Sequence, residues 1–198
     1  MTRKTTYKGA ETEASRKMVE LVPMNEKQEI YIKALKRDSQ VIVCGYSGTG
    51  KTFIAATMAA NMYPQKQIDK IVITRPNVAV GKDLGYLPGD LYEKFAPWAM
   101  PVLDVLQKQL GEATFEIALK RGNIEMAPLS LMRGRSFEKS FIILDEAQNT
   151  TVPEIKMFLT RIGQDCKVVV NGDIKQSDIN GQSGLSKIIH LAKKNKLP

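Results

Sequence analysis

Four short apolar runs punctuate the chain: Val41-Ile42-Val43-Cys44, Ile71-Val72-Ile73-Thr74, Phe141-Ile142-Ile143-Leu144, and Val168-Val169-Val170 within Lys167–Asn171. Each is too short for a helix, and unbroken apolar character rather than alternation marks a strand covered on both faces. Between them the period changes to that of a helix. From Asn25, Ile30 and Ala34, then Tyr31 and Leu35, sit four apart on one face. Lys51 to Met62 predicts a second helix, with Phe53, Ile54, Ala56 and Met58 available for packing. Further helices are predicted at Pro101–Leu110 (Val102, Val105, Leu106), at Thr114–Lys120, at Pro153–Ile162 with proline in its first turn, and at about Leu185–Asn195. Ile124-Glu125-Met126-Ala127 reads as another strand, ended by Pro128. Gly85, Pro88, Gly89, Pro97 and Pro101 predict that Leu84 to Pro101 is broken into short pieces. Strands alternating with helices predict an α/β fold, a three-layer α/β/α sandwich around a mostly parallel sheet.

Residues 1–22 are polar and mixed in charge, without a sustained apolar period, and read as a mobile or loosely docked arm. That leaves 23–198 as one domain, the number expected of 198 residues. The longest stretch free of charged residues, Thr52 to Gln65, falls short of the ~20 apolar residues of a membrane span. No apolar segment follows Met1-Thr2-Arg3-Lys4, so a secretory leader is not visible, and the expectation is a soluble cytoplasmic protein without a membrane partner. Cys44 and Cys166 border apolar runs and read as small buried hydrophobes. His190 is the one histidine, which leaves little from which to build a zinc site or a histidine-based triad. Lys and Arg number 29 against 21 acids, a net charge of +8 that suits a polyanionic partner without specifying one.

Gly45-Tyr46-Ser47-Gly48-Thr49-Gly50-Lys51-Thr52 matches G-x4-G-K-[ST] between a predicted strand and a predicted helix. Glycines let such a loop turn its backbone N–H groups inward onto phosphate oxygens, and the following helix adds its positive N-terminal dipole. In that pattern Lys51 reaches the β- and γ-phosphates and the Thr52 hydroxyl ligates Mg²⁺. A chance match in a chain of this composition is on the order of one in a hundred. Asp145-Glu146 leaves the apolar run 141–144 at its carboxyl end, where parallel sheets bind ligands. Asp145 is the candidate magnesium ligand and Glu146 the residue to orient or deprotonate an attacking water. Gly172-Asp173-Ile174-Lys175-Gln176 repeats the design, with Gln176 able to bond both γ-phosphate and water. Gln28 offers a donor and an acceptor together, matching adenine's N6/N7 edge; the alternative is a solvent-facing helix glutamine. Arg75, Arg133 and Arg135 present donor forks suited to phosphate, from a nucleic-acid backbone or a neighbour's nucleotide, or else to surface salt bridges. Phe53, next to Thr52, completes the candidate nucleotide set.

The order of these motifs resembles superfamily-one helicase cores and, more closely, the PhoH-like ATPases, from about Met24 to Leu185. Asn25-Glu26-Lys27-Gln28 resembles the adenine-reading motif and Gly45–Thr52 the Walker A loop. Thr74-Arg75-Pro76 resembles the next motif, Asp145-Glu146-Ala147-Gln148 Walker B, and Gly172–Gln176 the third helicase motif. Leu84-Gly85-Tyr86-Leu87-Pro88-Gly89-Asp90-Leu91 is the stretch most particular to the PhoH-like group. The resemblance implies a RecA-like P-loop core, ATP and Mg²⁺ as ligands, a ring homo-oligomer (a hexamer), and RNA or single-stranded nucleic acid as partner. The loop after Gln176 reads Asp178-Ile179-Asn180-Gly181, where the family pattern has proline or a basic residue.

Fast phosphoryl transfer usually needs an arginine on the transferring group, and a chain of this length holds a single core. The arginine would come from a neighbouring subunit, from the Arg133/Arg135 loop, or not at all, and head-to-tail rings supply the first naturally. The leading expectation is thus an ATP hydrolase coupled to RNA or single-stranded DNA. A P-loop kinase acting on a small acceptor shares the phosphate loop. A nucleotide-switched scaffold with little turnover is the third possibility.

Overall fold

The computed structural model describes residues 18–76, 91–179 and 181–194. Its element order is α1 (Glu26–Arg37), β1 (Gln40–Cys44), α2 (Lys51–Met62), β2 (Lys70–Arg75), α3 (Leu91–Leu110), α4 (Glu112–Lys120), β3 (Ile124–Pro128), β4 (Ser140–Leu144), α5 (Val152–Leu159), β5 (Lys167–Gly172) and α6 (Gly184–Lys193). Short 3₁₀ turns at Leu129–Met132 and Ala147–Asn149 flank β4.

The strands form one sheet in the order β1-β5-β4-β2-β3, every pair parallel. The two-residue alternation of side chains sorts each apolar run onto opposite faces. Ile71, Ile73, Phe141, Ile143 and Val169 join α1–α4 in one core, while Val72, Ile142, Leu144, Val168 and Val170 join α5 and α6 in the other. This is the three-layer α/β/α sandwich that the alternating pattern predicts, with a sheet that is wholly parallel, and it is consistent with the RecA-like P-loop core that the resemblance implies.

Local chemistry sets several boundaries. Asn25 caps α1, its side-chain oxygen accepting from the Gln28 N–H at 3.0 Å. Thr151 and Glu154 form a reciprocal capping box on α5, and Pro153 lies within its first turn. Lys167 is held in the crook after α1, its ammonium donating to the Leu35 carbonyl (2.5 Å) and the Asp38 carbonyl (2.8 Å). Burial pushes that ammonium below its usual pKa.

Several expectations are corrected. The predicted break through Pro97 and Pro101 is instead part of α3, one helix from Leu91 to Leu110. Both prolines are exposed, and each removes one backbone bond from the helix. Ala99, Val102, Leu103, Leu106 and Leu110 meanwhile bury a continuous stripe, and that packing outweighs the backbone cost. The Leu84–Asp90 part of that stretch lies outside the described residues. In α1, Ile30 is exposed, and Ile32 is buried beside Tyr31 and Leu35. Phe53 is 48% exposed and does not pack in the core. The run 41–44 is only half buried because β1 is an edge strand, and Cys44 at its tip is exposed while Cys166 is buried. The arm, of which 1–17 lie outside the described residues, docks at its end. The Asn61 amide clamps the Val19 backbone, accepting from its N–H (2.9 Å) and donating to its carbonyl (2.8 Å), and Leu21 packs on the core. Among the described residues no helix is long and apolar enough to cross a membrane.

Candidate functional site

The carboxyl ends of β1, β5 and β4 lie side by side and bring three motifs together: the 45–52 loop, the 172–176 turn and the 145–146 acids. The Gly45 N–H donates to the Gly172 carbonyl (3.2 Å), and the Asp145 N–H to the Thr74 carbonyl (2.9 Å), so each exit is pinned to its neighbour. The cleft between them has a volume of about 270 Å³. Ser47, Gly48, Thr49, Gly50, Lys51, Thr52, Phe53, Asp145, Glu146 and Gln176 line it, all predicted from sequence. Gln148, Gly172 and Asp173 line it too and were not assigned as site residues.

Gly50 is the residue before α2 and adopts φ 83°, a left-handed conformation that glycine takes without penalty. A Cβ there would also stand 3.1 Å from the Gln28 side-chain nitrogen. That nitrogen donates to the Thr49 carbonyl (3.1 Å), while Gln28 Oε1 accepts from the Met24 N–H (2.8 Å). Gln28 is therefore a brace on the phosphate loop. The Lys51 ammonium lies within the loop, donating to the carbonyls of Gly45 (2.6 Å) and Tyr46 (2.8 Å). A second cleft of about 620 Å³ lies alongside, lined by Gln28, Tyr31, Cys44, Gly45 and Tyr46 among others. The Tyr46 hydroxyl accepts from Lys175 Nζ at 2.9 Å, joining the first loop to the β5 exit.

Thr52 Oγ1 donates to Asp145 Oδ2 at 3.3 Å. Burial and then the charge of Glu146 raise the Asp145 carboxyl above its usual range, against hydrogen bonds from the Glu146 N–H and Thr52 and the charge of Arg75. The two oxygen donors fit a hard cation that retains water and phosphate oxygens as its other ligands, as Mg²⁺ does. Among the described residues no group of three or more His, Cys, Asp or Glu side chains could hold a metal alone.

Glu146 has left-handed backbone angles (φ 54°, ψ 38°), an uncommon state for a residue other than glycine that directs the chain into the 3₁₀ turn behind it. Its Oε2 accepts from Gln148 Nε2 at 2.5 Å. Gln148 in turn accepts at Oε1 from the Asp173 N–H (3.0 Å). The Asp173 carboxylate is buried, one oxygen accepting from the Lys175 N–H (3.0 Å) and the other without a partner among the described residues. In the sequence Gln148 and Asp173 stand only as members of the Asp145–Gln148 and Gly172–Gln176 motifs, without a role of their own.

The arginines separate. Arg75 stands over the Trp98 ring, 4.9 Å from its centroid, and its charge reaches Asp145. Arg135 forms an ion pair with Glu125 on β3, the edge of the sheet opposite β1, and Lys70 joins the same carboxylate. Arg133 is exposed, in the same loop.

Comparison with known proteins follows the same motifs. Residues 20–197 match the family described as PhoH-like protein. The chain is 46% identical over 167 residues to "Protein PhoH" of Escherichia coli (strain K12), covering 83% of this chain and 47% of that protein. It is 46% identical over 152 residues to the "PhoH-like protein" of Bacillus subtilis (strain 168), covering 77% and 48%. Against the "PhoH-like protein" of Mycobacterium bovis the identity is 41% over 179 residues, covering 89% and 51%. The chain thus spans about half the length of these curated relatives. With the motif order, the sheet and the extent of these matches in agreement, the chain belongs to the PhoH family.

Proposed function

We propose that this chain binds ATP with Mg²⁺ and hydrolyses its terminal phosphoanhydride bond, with turnover coupled to RNA or single-stranded DNA in a ring homo-oligomer. The contact between Thr52 and Asp145 carries the reading. It places a hydroxyl and a carboxylate together at the foot of a backbone cradle, with Glu146 as the next residue.

Each residue has a task. Lys51 exchanges its bonds with the Gly45 and Tyr46 carbonyls for the β- and γ-phosphate oxygens. Thr52 and Asp145 would hold the magnesium, whose charge would offset that developing on the phosphates. Glu146 accepts a proton from the water whose oxygen attacks the γ-phosphorus. The bond to the bridging oxygen breaks, ADP leaves with the electron pair, and inorganic phosphate is released. Gln176, exposed at the cleft, orients the water and the γ-phosphate. Gln28 acts on the nucleotide through the phosphate loop and Phe53 flanks it. Arg133, being exposed, is the cation offered to a neighbour's nucleotide. The net charge of +8 and the Arg75–Trp98 pair beside Asp145 support the nucleic-acid partner, since such a pair offers a phosphate a fork and a base a stacking face.

The test is the rate of phosphate release from ATP, with and without Mg²⁺ and poly(U), alongside native mass with and without ATP-Mg. Metal-dependent release that poly(U) accelerates supports the reading. Release of ADP only with an added acceptor makes the protein a kinase, and tight ATP binding without turnover makes it a switch.

A further inference from the structure

Gln148 is 1% exposed, yet each end of its side-chain amide is committed to a different motif. The nitrogen donates to Glu146 Oε2 and the oxygen accepts from the Asp173 N–H. A buried amide with both ends bonded has a fixed rotamer and a fixed O/N assignment, because flipping it would place an oxygen against a carboxylate and a donor against a donor. Its place is built by the neighbours. A Cβ at Gly172 would lie 2.9 Å from Gln148 Oε1 and 3.1 Å from its backbone nitrogen, so glycine makes room for the side chain to pass. The turn beyond is tied to the same stretch. Ser177 Oγ donates to the Gln148 carbonyl (3.0 Å), and Asn149 and Asp178 exchange two hydrogen bonds of 2.8 and 3.2 Å. Within that turn the Gln176 N–H donates to the Asp173 carbonyl at 3.0 Å.

We infer that Gln148 is the positioning residue of the reaction: its amide holds one oxygen of the Glu146 carboxylate and ties it to the turn that carries Gln176. The inference rests on the proposed hydrolysis, in which Glu146 takes the proton and Gln176 bonds the γ-phosphate. A glutamate side chain has three rotatable bonds. With Oε2 tied to Gln148, Oε1 is left to meet the attacking water along one direction, an entropy saving made before the nucleotide arrives. The tie is mutual, because the amide can satisfy both partners only while the 173–176 turn keeps its distance from Glu146. Both ends of the Gln148 amide are taken up, by Glu146 and by Asp173, so its effect on the base passes through Glu146.

A double-mutant cycle on the full chain tests this. Gln148→Met keeps the length and burial of the side chain while removing both bonds, and Gln148→Asn keeps the amide but withdraws it by one methylene. Either should lower kcat about tenfold to a hundredfold with the dissociation constant for ATP within about twofold of the parent, the split expected of an interaction that orients a base. In a Glu146→Gln background the same change should have no further effect on kcat, because the residue it positions has lost its function. Thermal unfolding identifies a variant that does not fold, and the other of the two then supplies the answer. A folded Gln148→Met or Gln148→Asn protein with parental kcat overturns the inference, as does an undiminished loss of kcat in the Glu146→Gln background. If Glu146→Gln alone leaves turnover unchanged, or the parent does not hydrolyse ATP, the hydrolysis reading fails first and by a separate observation.

Discussion

The Arg135 guanidinium makes a two-pronged ion pair with the Glu125 carboxylate, one prong from Nη2 to Oε2 at 2.8 Å, and lies 5.0 Å from the Phe137 ring. The pair fastens the loop after β3 to the sheet edge. It distinguishes two arginines that sequence alone treats as equivalent.

Arg135→Ala is therefore expected to act on stability, by about 1–2 kcal/mol for a partly buried charged hydrogen bond lost with its partner left behind. Arg133→Ala should leave the unfolding midpoint within a degree or so. If Arg133 serves a neighbour's nucleotide, its loss costs on the order of 10³ in kcat, and mixing Arg133→Ala with an excess of Lys51→Ala subunits restores part of the rate. Chemical denaturation and steady-state phosphate release read the two effects.

The Glu125 carboxyl is held below the usual glutamate range, first by the hydrogen bond from Arg135 and then by that from Lys70, with burial opposing both. A carboxyl depressed in the folded state contributes stability above its unfolded pKa of about 4.3 and loses that contribution as pH falls through the folded value. Glu125→Gln should thus be less stable than the parent at pH 7, with the difference shrinking steadily below about pH 4. Parallel denaturation curves across that range measure it, and an unchanged difference at pH 3 would contradict it.

Gly172→Ala places a methyl 2.4 Å from Leu185 Cδ2 and against Gln148. The expected cost is about 1–3 kcal/mol of overpacking, which lowers the melting temperature by several degrees. Because the same methyl displaces the Gln148 amide, kcat should fall even at temperatures where the variant is fully folded. Calorimetry with rate measurements at 20 °C below the new midpoint separates the two effects.

Thr52→Val removes the hydroxyl that meets Asp145 while keeping the shape of the side chain. Turnover should fall by at least about a hundredfold, and the magnesium concentration needed for half-maximal rate should rise, whereas Thr52→Ser should stay near the parent. A magnesium titration of the hydrolysis rate reads this directly, and a Thr52→Val protein with parental metal dependence would remove Thr52 from the metal site.

Much of this was present in the order of residues. Apolar runs too short for helices could only be doubly covered strands, and a glycine loop between strand and helix admits few other chemistries than phosphate binding. The ten predicted residues that line the cleft were legible because the phosphate loop with Phe53, the acid pair and the 172–176 turn are each contiguous in sequence. What tertiary structure decided was every matter of which neighbour a residue meets. Strand order placed β1 at an edge, and so left Cys44 exposed and Val41 to Val43 only partly buried. Burial of one face carried α3 through two prolines, because the stripe from Ala99 to Leu110 gains more than two missing backbone bonds cost. The parting of Arg133 from Arg135, the bracing of the phosphate loop by Gln28, and the bridge of Gln148 from Glu146 to the β5 exit join residues far apart in the chain or facing apart in one loop. Local periodicity holds no information about such pairs, since it records which face is buried and not what lies across from it.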